Sequence, residues 1–236
     1  MFDDLENSVR RYARKNANGD GLAITPVPGL RMMCVDAPSG PLQSTYKPLV
    51  CLILQGAKHM TVGTESRIFR SGQSVIVSAD MPVTGRIVEA SSANPYLAVA
   101  IELDMILLRD IAVHLPDIPA GRPGDMQSLF VEDTNQSTLD CASRLMRLLD
   151  RPQAIPVLHP AIMRELHYWL LAGTHGTALT SLAAPESYAS RLAASVSILR
   201  AEYRTRVTME RLARAAAMSL TAFHKHLKEL TSLTPG

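Results

Sequence analysis

The sequence is short of the residues from which disulfide frameworks, metal centres and membrane anchors are built. Cysteine occurs three times in 236 residues, at Cys34, Cys51 and Cys141. The three are far apart with apolar neighbours, and they read as buried free thiols of a reducing cytosol. No two of them have metal-ligand spacing. No apolar run approaches the ~18 residues that a membrane span needs. The start, MFDDLENSVRRYARK, is charged from its third residue and lacks the apolar core of a secretion signal. There is no internal repeat, no low-complexity tract, no glycine-rich phosphate loop and no nucleophile elbow. Gly19–Gly21 and Gly121–Gly124 read as loops.

Catalytic groups are equally sparse. A metal centre held between strands needs several ligands around one ion, such as His-x-His with a nearby Glu. The β-rich part of the chain holds one histidine, His59. His114, His159, His167 and His175 fall later, in helical or loop segments. Glu165 and His167 are two apart and would point to different faces of a helix. Glu102 and Asp104 are two apart at a strand end without a positioned partner for acid–base work. The expectation is a protein that is not an enzyme, with no catalytic residue, no metal and no cofactor.

What is present is enough for a sizeable core. Hydrophobic residues make up 47% and charged residues 19% of the chain, as in soluble globular proteins. The length predicts two domains. The formal net charge of +2 hides an asymmetry. Residues 186–236 carry eight lysines and arginines against four acids, net +4, while the rest carries 16 against 18, net −2. A basic end on a slightly acidic body is the electrostatic footprint of a nucleic-acid-reading segment.

The body begins with an amphipathic helix marked by Phe2, Leu5, Val9 and Tyr12. Short strands rich in branched residues follow: Leu30–Val35, Leu49–Leu54, His59–Val62, Arg67–Phe69, Ser74–Ser78, Arg86–Val88 and Tyr96–Leu103. Gln55-Gly56, Gly63, Ser71-Gly72, Pro82 and Asn94-Pro95 punctuate them. Such spacing predicts a small antiparallel barrel or sandwich. Helices are expected over Met105–Leu115, Ser137–Leu149, Ile162–Leu171 and Glu186–Arg204. A loop is expected over Gly121–Asp133, breaks at Pro152 and Pro156, and a linker over Thr174–Ala184.

The last thirty residues carry two helical patterns separated by a tight break. Met209, Leu212, Ala213 and Ala216 fall on one face of the first, with Thr208 as N-cap and Glu210 in the first turn. Leu220, Phe223, Leu227 and Leu230 form the stripe of the second, with Ser219 as N-cap. Its opposite stripe is Thr221, His224, Lys225 and Lys228. Two such helices make a helix-turn-helix if they cross steeply, and the second then enters the DNA major groove. An ordinary helical hairpin with a solvated polar face is the competing reading.

Taken in order, these residues resemble the AraC/XylS-type transcriptional regulators. The resemblance is carried by Tyr46-Lys47-Pro48, by Leu52 through Gln55-Gly56-Ala57-Lys58, by Gly63, Phe69, Gly72 and Pro82, and by Asn94-Pro95-Tyr96-Leu97. It continues through Leu148-Leu149-Asp150-Arg151-Pro152 and the run from Arg164 to Gly173. In the tail it rests on Leu212-Ala213, Met218-Ser219, Phe223-His224 and Leu230-Thr231, so that it spans about residues 24–236.

The resemblance implies an α+β chain: an N-terminal cupin-like antiparallel β-barrel with flanking helices over 1–180, then an all-α helix-turn-helix segment over 181–236. It implies a cytoplasmic, sequence-specific DNA-binding regulator whose barrel senses a small-molecule effector. Thr221, His224 and Lys225 match family positions that face base edges, with Ser219 beside them. Lys228, Arg211 and Arg214 are expected at phosphates or as surface charges. The expected partners are double-stranded operator DNA, an effector and a second copy of the chain, with RNA polymerase a candidate and no membrane. The resemblance implies a dimer contact through Leu139, Leu145, Met146 and Leu149, the competing reading being that these helices simply cap the barrel. The alternative function is a cupin-type ligand-binding protein or enzyme without DNA binding.

The chain departs from the family pattern in two ways. The family's DNA-binding domain has two helix-turn-helix units, and this sequence stops after the first, so truncation before the second is expected. The family usually has glycine in the turn and after the recognition helix. Here Ala217 and Ser232 stand there, and Ala217 is expected to adopt an uncommon backbone conformation at some cost. Effector-contacting residues cannot be assigned without strand register, because a one-residue slip inverts the faces. The strands carry few ionisable residues, which favours a neutral or partly apolar effector.

Overall fold

The computed structural model describes residues 2–62, 65–78, 80–115, 129–183, 191, 192, 195, 198, 202 and 207–231. The chain opens with α1 (Phe2–Asn16), then β1 (Leu22–Ile24), β2 (Leu30–Val35), β3 (Leu42–Tyr46), β4 (Leu49–Gln55), β5 (Ala57–Val62), β6 (Glu65–Arg70), β7 (Gln73–Val77), β8 (Met81–Glu89) and β9 (Tyr96–Glu102). It continues with α2 (Met105–Ala112), β10 (Leu129–Asp133), α3 (Gln136–Arg147), α4 (Ile155–Leu171), α5 (Gly176–Ala183), α6 (Met209–Ala215) and α7 (Leu220–Thr231). The fold is α+β, as expected. The strands form two antiparallel sheets rather than one closed barrel. One has the order β1-β2-β9-β4-β7-β10 and the other β3-β8-β5-β6.

Strand alternation builds two cores from the larger sheet. Leu30 and Met32 of β2, Val50, Leu52 and Leu54 of β4, and Leu97, Val99 and Ile101 of β9 face the helices, where they meet Leu5, Val9 and Ala13 of α1. The intervening residues, among them Leu49, Ile53, Val75, Val77, Tyr96 and Ala98, face the smaller sheet. There they pack on Met60, Val62, Phe69, Val83 and Ile87. Burial of both faces makes the central strands read as near-continuous apolar runs. The corner between β4 and β5 is Gly56 at φ +75°, where a Cβ would lie 2.4 Å from the Glu89 carbonyl oxygen. Only glycine fits there.

Several elements differ from the sequence expectations. The segment expected as loop up to Asp133 ends in β10, which pairs with β7 through Phe130↔Ile76. Helix α4 starts at Ile155, not Ile162, because Pro156 sits at its first turn, where no N–H is needed. The linker expected over Thr174–Ala184 contains α5, held by fully buried Leu179. The helix expected over 186–204 lies largely outside the described residues.

The expected dimer contact is overturned. Leu139, Leu145 and Met146 are buried within the chain itself, in the core that α3 shares with α1 and α4, and Leu149 packs on that core. Their apolar stripe is consumed by the protomer's own core.

His167 ties α4 to the end of β9. It is buried, its Nδ1 lies 2.6 Å from the Met163 carbonyl, and its Nε2 accepts the Asp104 N–H at 2.8 Å. Those partners fix the neutral tautomer with the proton on Nδ1. Burial holds its pKa below the ordinary 6.5. The unfolded chain therefore takes up the proton first as pH falls below about 6.5, and stability drops from there down to the folded pKa, by at most about 1.4 kcal/mol per pH unit. Urea unfolding at pH 7.5 and 5.5 should show this loss. His167→Gln, which keeps an acceptor but cannot titrate, should show a smaller one.

Candidate functional site: the C-terminal helices and the cleft between the sheets

Helices α6 and α7 are built as their sequence directs. Thr208 caps α6, its hydroxyl accepting the Arg211 N–H at 3.4 Å, and the Ser219 hydroxyl accepts the Ala222 N–H at 3.2 Å at the start of α7. The turn between them is closed by Met218 N–H to Ala213 O and Ala217 N–H to Arg214 O, both at 2.9 Å. This is a Schellman ending, which normally has glycine at the residue occupied here by Ala217. Ala217 takes φ +50°, the one non-glycine with positive φ among the described residues. The guanidinium of Arg191 donates to the Ala216 carbonyl at 3.0 Å and also to that of Ala217, satisfying carbonyls the helix end leaves open. Ala217→Gly should relieve the left-handed strain, offset in part by a more flexible unfolded chain, for a net gain of about 0.5–1 kcal/mol. A melting temperature higher by about 1–3 °C would register it, and a lower one would contradict it.

The pair is held by Leu212, Ala213, Ala216 and Phe223, all buried, with Leu192 packed in the same core and Ser195 donating to the Leu212 carbonyl at 2.7 Å. Leu220, expected in the buried stripe, is 39% exposed, since the first turn of α7 projects beyond the packing partners. The side chain of Leu230 lies outside the described residues. On the other face Ser219, Thr221, Lys225 and Lys228 are exposed and His224 is half-buried, its ring edge-on to Phe223 at 6.4 Å. Arg214 is exposed. Arg211 forms two 2.6 Å hydrogen bonds to the Glu202 carboxylate, which lower the pKa of Glu202 and raise that of Arg211. Its charge is thus already partnered inside the chain.

The second site was not legible in the sequence. Between the sheets lies a cleft of about 610 Å³, within the range of small-molecule sites. It exists because the facing positions are small: Ala98 and Ala100 on β9 and Gly85 on β8. Lys58 and Met60 share the inner face of β5, and Met60 opposite Gly85 is buried. The Lys58 ammonium donates to the Tyr46 hydroxyl at 2.9 Å. Arg31 and Glu102 pair at 2.7 Å on the opposite wall. Cys51 also lines the cleft, and burial pushes its thiol up to about 11, which makes it a poor nucleophile at neutral pH.

The remaining candidates of the sequence reading have structural duties. Asp104 caps α2, accepting from Ile106 and Leu107 N–H at 2.9 and 3.1 Å. Glu165 is bound to Arg144 at 2.6 Å, on a different face of α4 from His167. His59 pairs with Arg86 and Ile68 across its neighbouring strands, on the outer face of the small sheet. Among the described residues no three His, Cys, Asp or Glu side chains converge as a metal site, and no helix is long and apolar enough to cross a membrane.

The chain thus joins a two-sheet module with an internal cleft to a compact helix pair. Residues 26–178 match the AraC-type transcriptional regulator N-terminus, and the chain belongs to that family of ligand-sensing transcription regulators. No curated protein matches it in sequence. Among solved structures it is similar to unsaturated-fatty-acid-bound ToxT from Vibrio cholerae, at 7% identity and a TM-score of 0.43, over 87% of this chain and 92% of that one. It is also similar to the AraC-like transcriptional activator CuxR, at 15% identity and a TM-score of 0.39, over 94% and 83% of the two chains.

Proposed function

We propose that the protein is a sequence-specific DNA-binding transcriptional regulator in which the sheet module senses a small-molecule effector and helices α6 and α7 read DNA. The observation that carries the DNA-reading part is the exposed stripe of Thr221, Lys225 and Lys228, with His224, opposite the buried Phe223. Hydroxyl, imidazole and ammonium groups at the start of a recognition helix are suited to base edges. Lys228 and Arg214, both exposed, are the phosphate contacts of this reading. Arg211 would have to release Glu202 to join them.

Strand β8 supports a link between the two parts. Its inner face lines the cleft with Val83, Gly85 and Ile87, and α7 comes within 8 Å of it between Cα atoms. The partners of this reading are double-stranded operator DNA, a small-molecule effector, a second copy of the chain and RNA polymerase, all in the cytoplasm. The second copy would have to meet a surface other than the apolar stripe of α3. A mobility-shift assay with DNA upstream of the protein's own and neighbouring genes tests the reading. A sequence-selective shift at moderate salt supports it, and a shift abolished by any competitor DNA ends it.

A further inference from the structure

We infer that the cleft between the sheets takes a small organic anion with an apolar body, its negative group seated on Lys58 and Tyr46. The inference rests on the effector-sensing reading of the cleft and names the ligand class. It replaces the neutral effector favoured by the sequence, because register puts Lys58 on the inner face.

The chemistry follows from what surrounds Lys58. Lys58 is half-buried, and the hydrogen-bond partner of its ammonium is a neutral phenol, with the Tyr46 ring centroid 5.6 Å away. No carboxylate pairs with it among the described residues, whereas Arg31, the other inward cation, already holds Glu102. A cation withdrawn from bulk water without a counter-charge favours an anion that supplies one. The side chain is also accommodated by the backbone. A Cβ on Gly85 would come within 2.7 Å of Lys58 Cε, so the missing side chain on β8 lets the lysine lie across that strand, along one wall of the cleft, to reach Tyr46 on β3. Around that polar end the walls are apolar: Leu49 and Ala98 on one sheet, Val83 and Ile87 on the other. One ammonium, one hydroxyl and an apolar slot match a carboxylate, sulfonate or phosphate ester on a hydrocarbon or aromatic body.

Titration calorimetry of the full chain with three matched probes tests this: 4-phenylbutyrate, the neutral 4-phenylbutan-1-ol and the cationic 4-phenylbutylamine. The acid should bind about tenfold or more tightly than either counterpart, the margin a hydrogen bond to a charged group supplies. Lys58→Met should remove that margin and leave the alcohol's affinity unchanged, whereas Lys58→Arg should keep it. Ala98→Leu, which fills the slot, should weaken acid and alcohol alike in a protein whose circular dichroism is that of the parent. An acid that does not bind at millimolar concentration, binds no better than the alcohol, or binds Lys58→Met as well as the parent would overturn the inference. The readout is ligand binding alone, so it can fail while DNA recognition stands, and stand while DNA recognition fails.

Discussion

Leu145→Glu should unfold the protein rather than yield a folded monomer. Leu145 is fully buried on α3, between α1 and α4. Exchanging it for glutamate removes a packed side chain, costing about 2–5 kcal/mol as in a Leu→Ala change, and adds the cost of burying a carboxyl group without partners. The sum rivals the whole stability of a typical domain, about 5–15 kcal/mol. Two buried hydroxyls nearby, on Thr138 and Ser143, have no hydrogen-bond partner, so the site already carries unmet polar groups. Thermal melts followed by circular dichroism should show no cooperative transition, or a soluble yield too low to measure. Arg147→Glu, on the exposed side of the same helix, should melt within a few degrees of the parent. A Leu145→Glu protein that melts like the parent would place the residue at a surface after all.

Lys225→Ala should change which DNA sequence is preferred, and not only how tightly it is held. Lys225 is exposed in the second turn of α7, one turn beyond Thr221 and on the same stripe. A lysine at a base edge contributes about 1–3 kcal/mol of discrimination, most often toward guanine. Lys228→Ala, one position further along the stripe, should instead weaken binding to all sequences about equally and flatten the salt dependence. Affinities for a family of duplexes, each with one base pair changed, separate the two effects. If Lys225→Ala lowers every affinity by the same factor, Lys225 is a phosphate contact and the assignment of the reading face is wrong.

Much of the fold was visible in the chain, and the invisible parts share a cause. The strands from Leu30 to Leu103 could be read because branched residues alternate between turn residues, and their two cores follow from that alternation. Strands β3 and β10 could not. Leu42–Tyr46 is a largely exposed edge of polar residues, and Leu129–Asp133 is an edge strand whose extended state comes from pairing with β7. Local propensity is weak evidence where the partner supplies the ladder. The stripe of α3 was legible, but its partner was not: apolar spacing shows that a face is covered and is silent on what covers it. At the helix pair the local chemistry was nearly complete. Thr208 and Ser219 cap as their side chains dictate, and Ala217 takes the left-handed conformation that a missing glycine forces. The cleft depends on register, because Lys58 is an inward residue only once β5 is set against β8 at Met60↔Gly85.

Whether α7 reads DNA sequence is tested most directly by selection from a randomised duplex library. The protein is used to enrich duplexes over several rounds at near-physiological salt. The affinity of the enriched sequence is then compared with that of a scrambled one. A single recurring motif should emerge, bound about a thousandfold or more tightly than the scramble, and the Lys225→Ala variant should enrich a different motif. No recurring motif, or selected and scrambled duplexes bound equally, would contradict it.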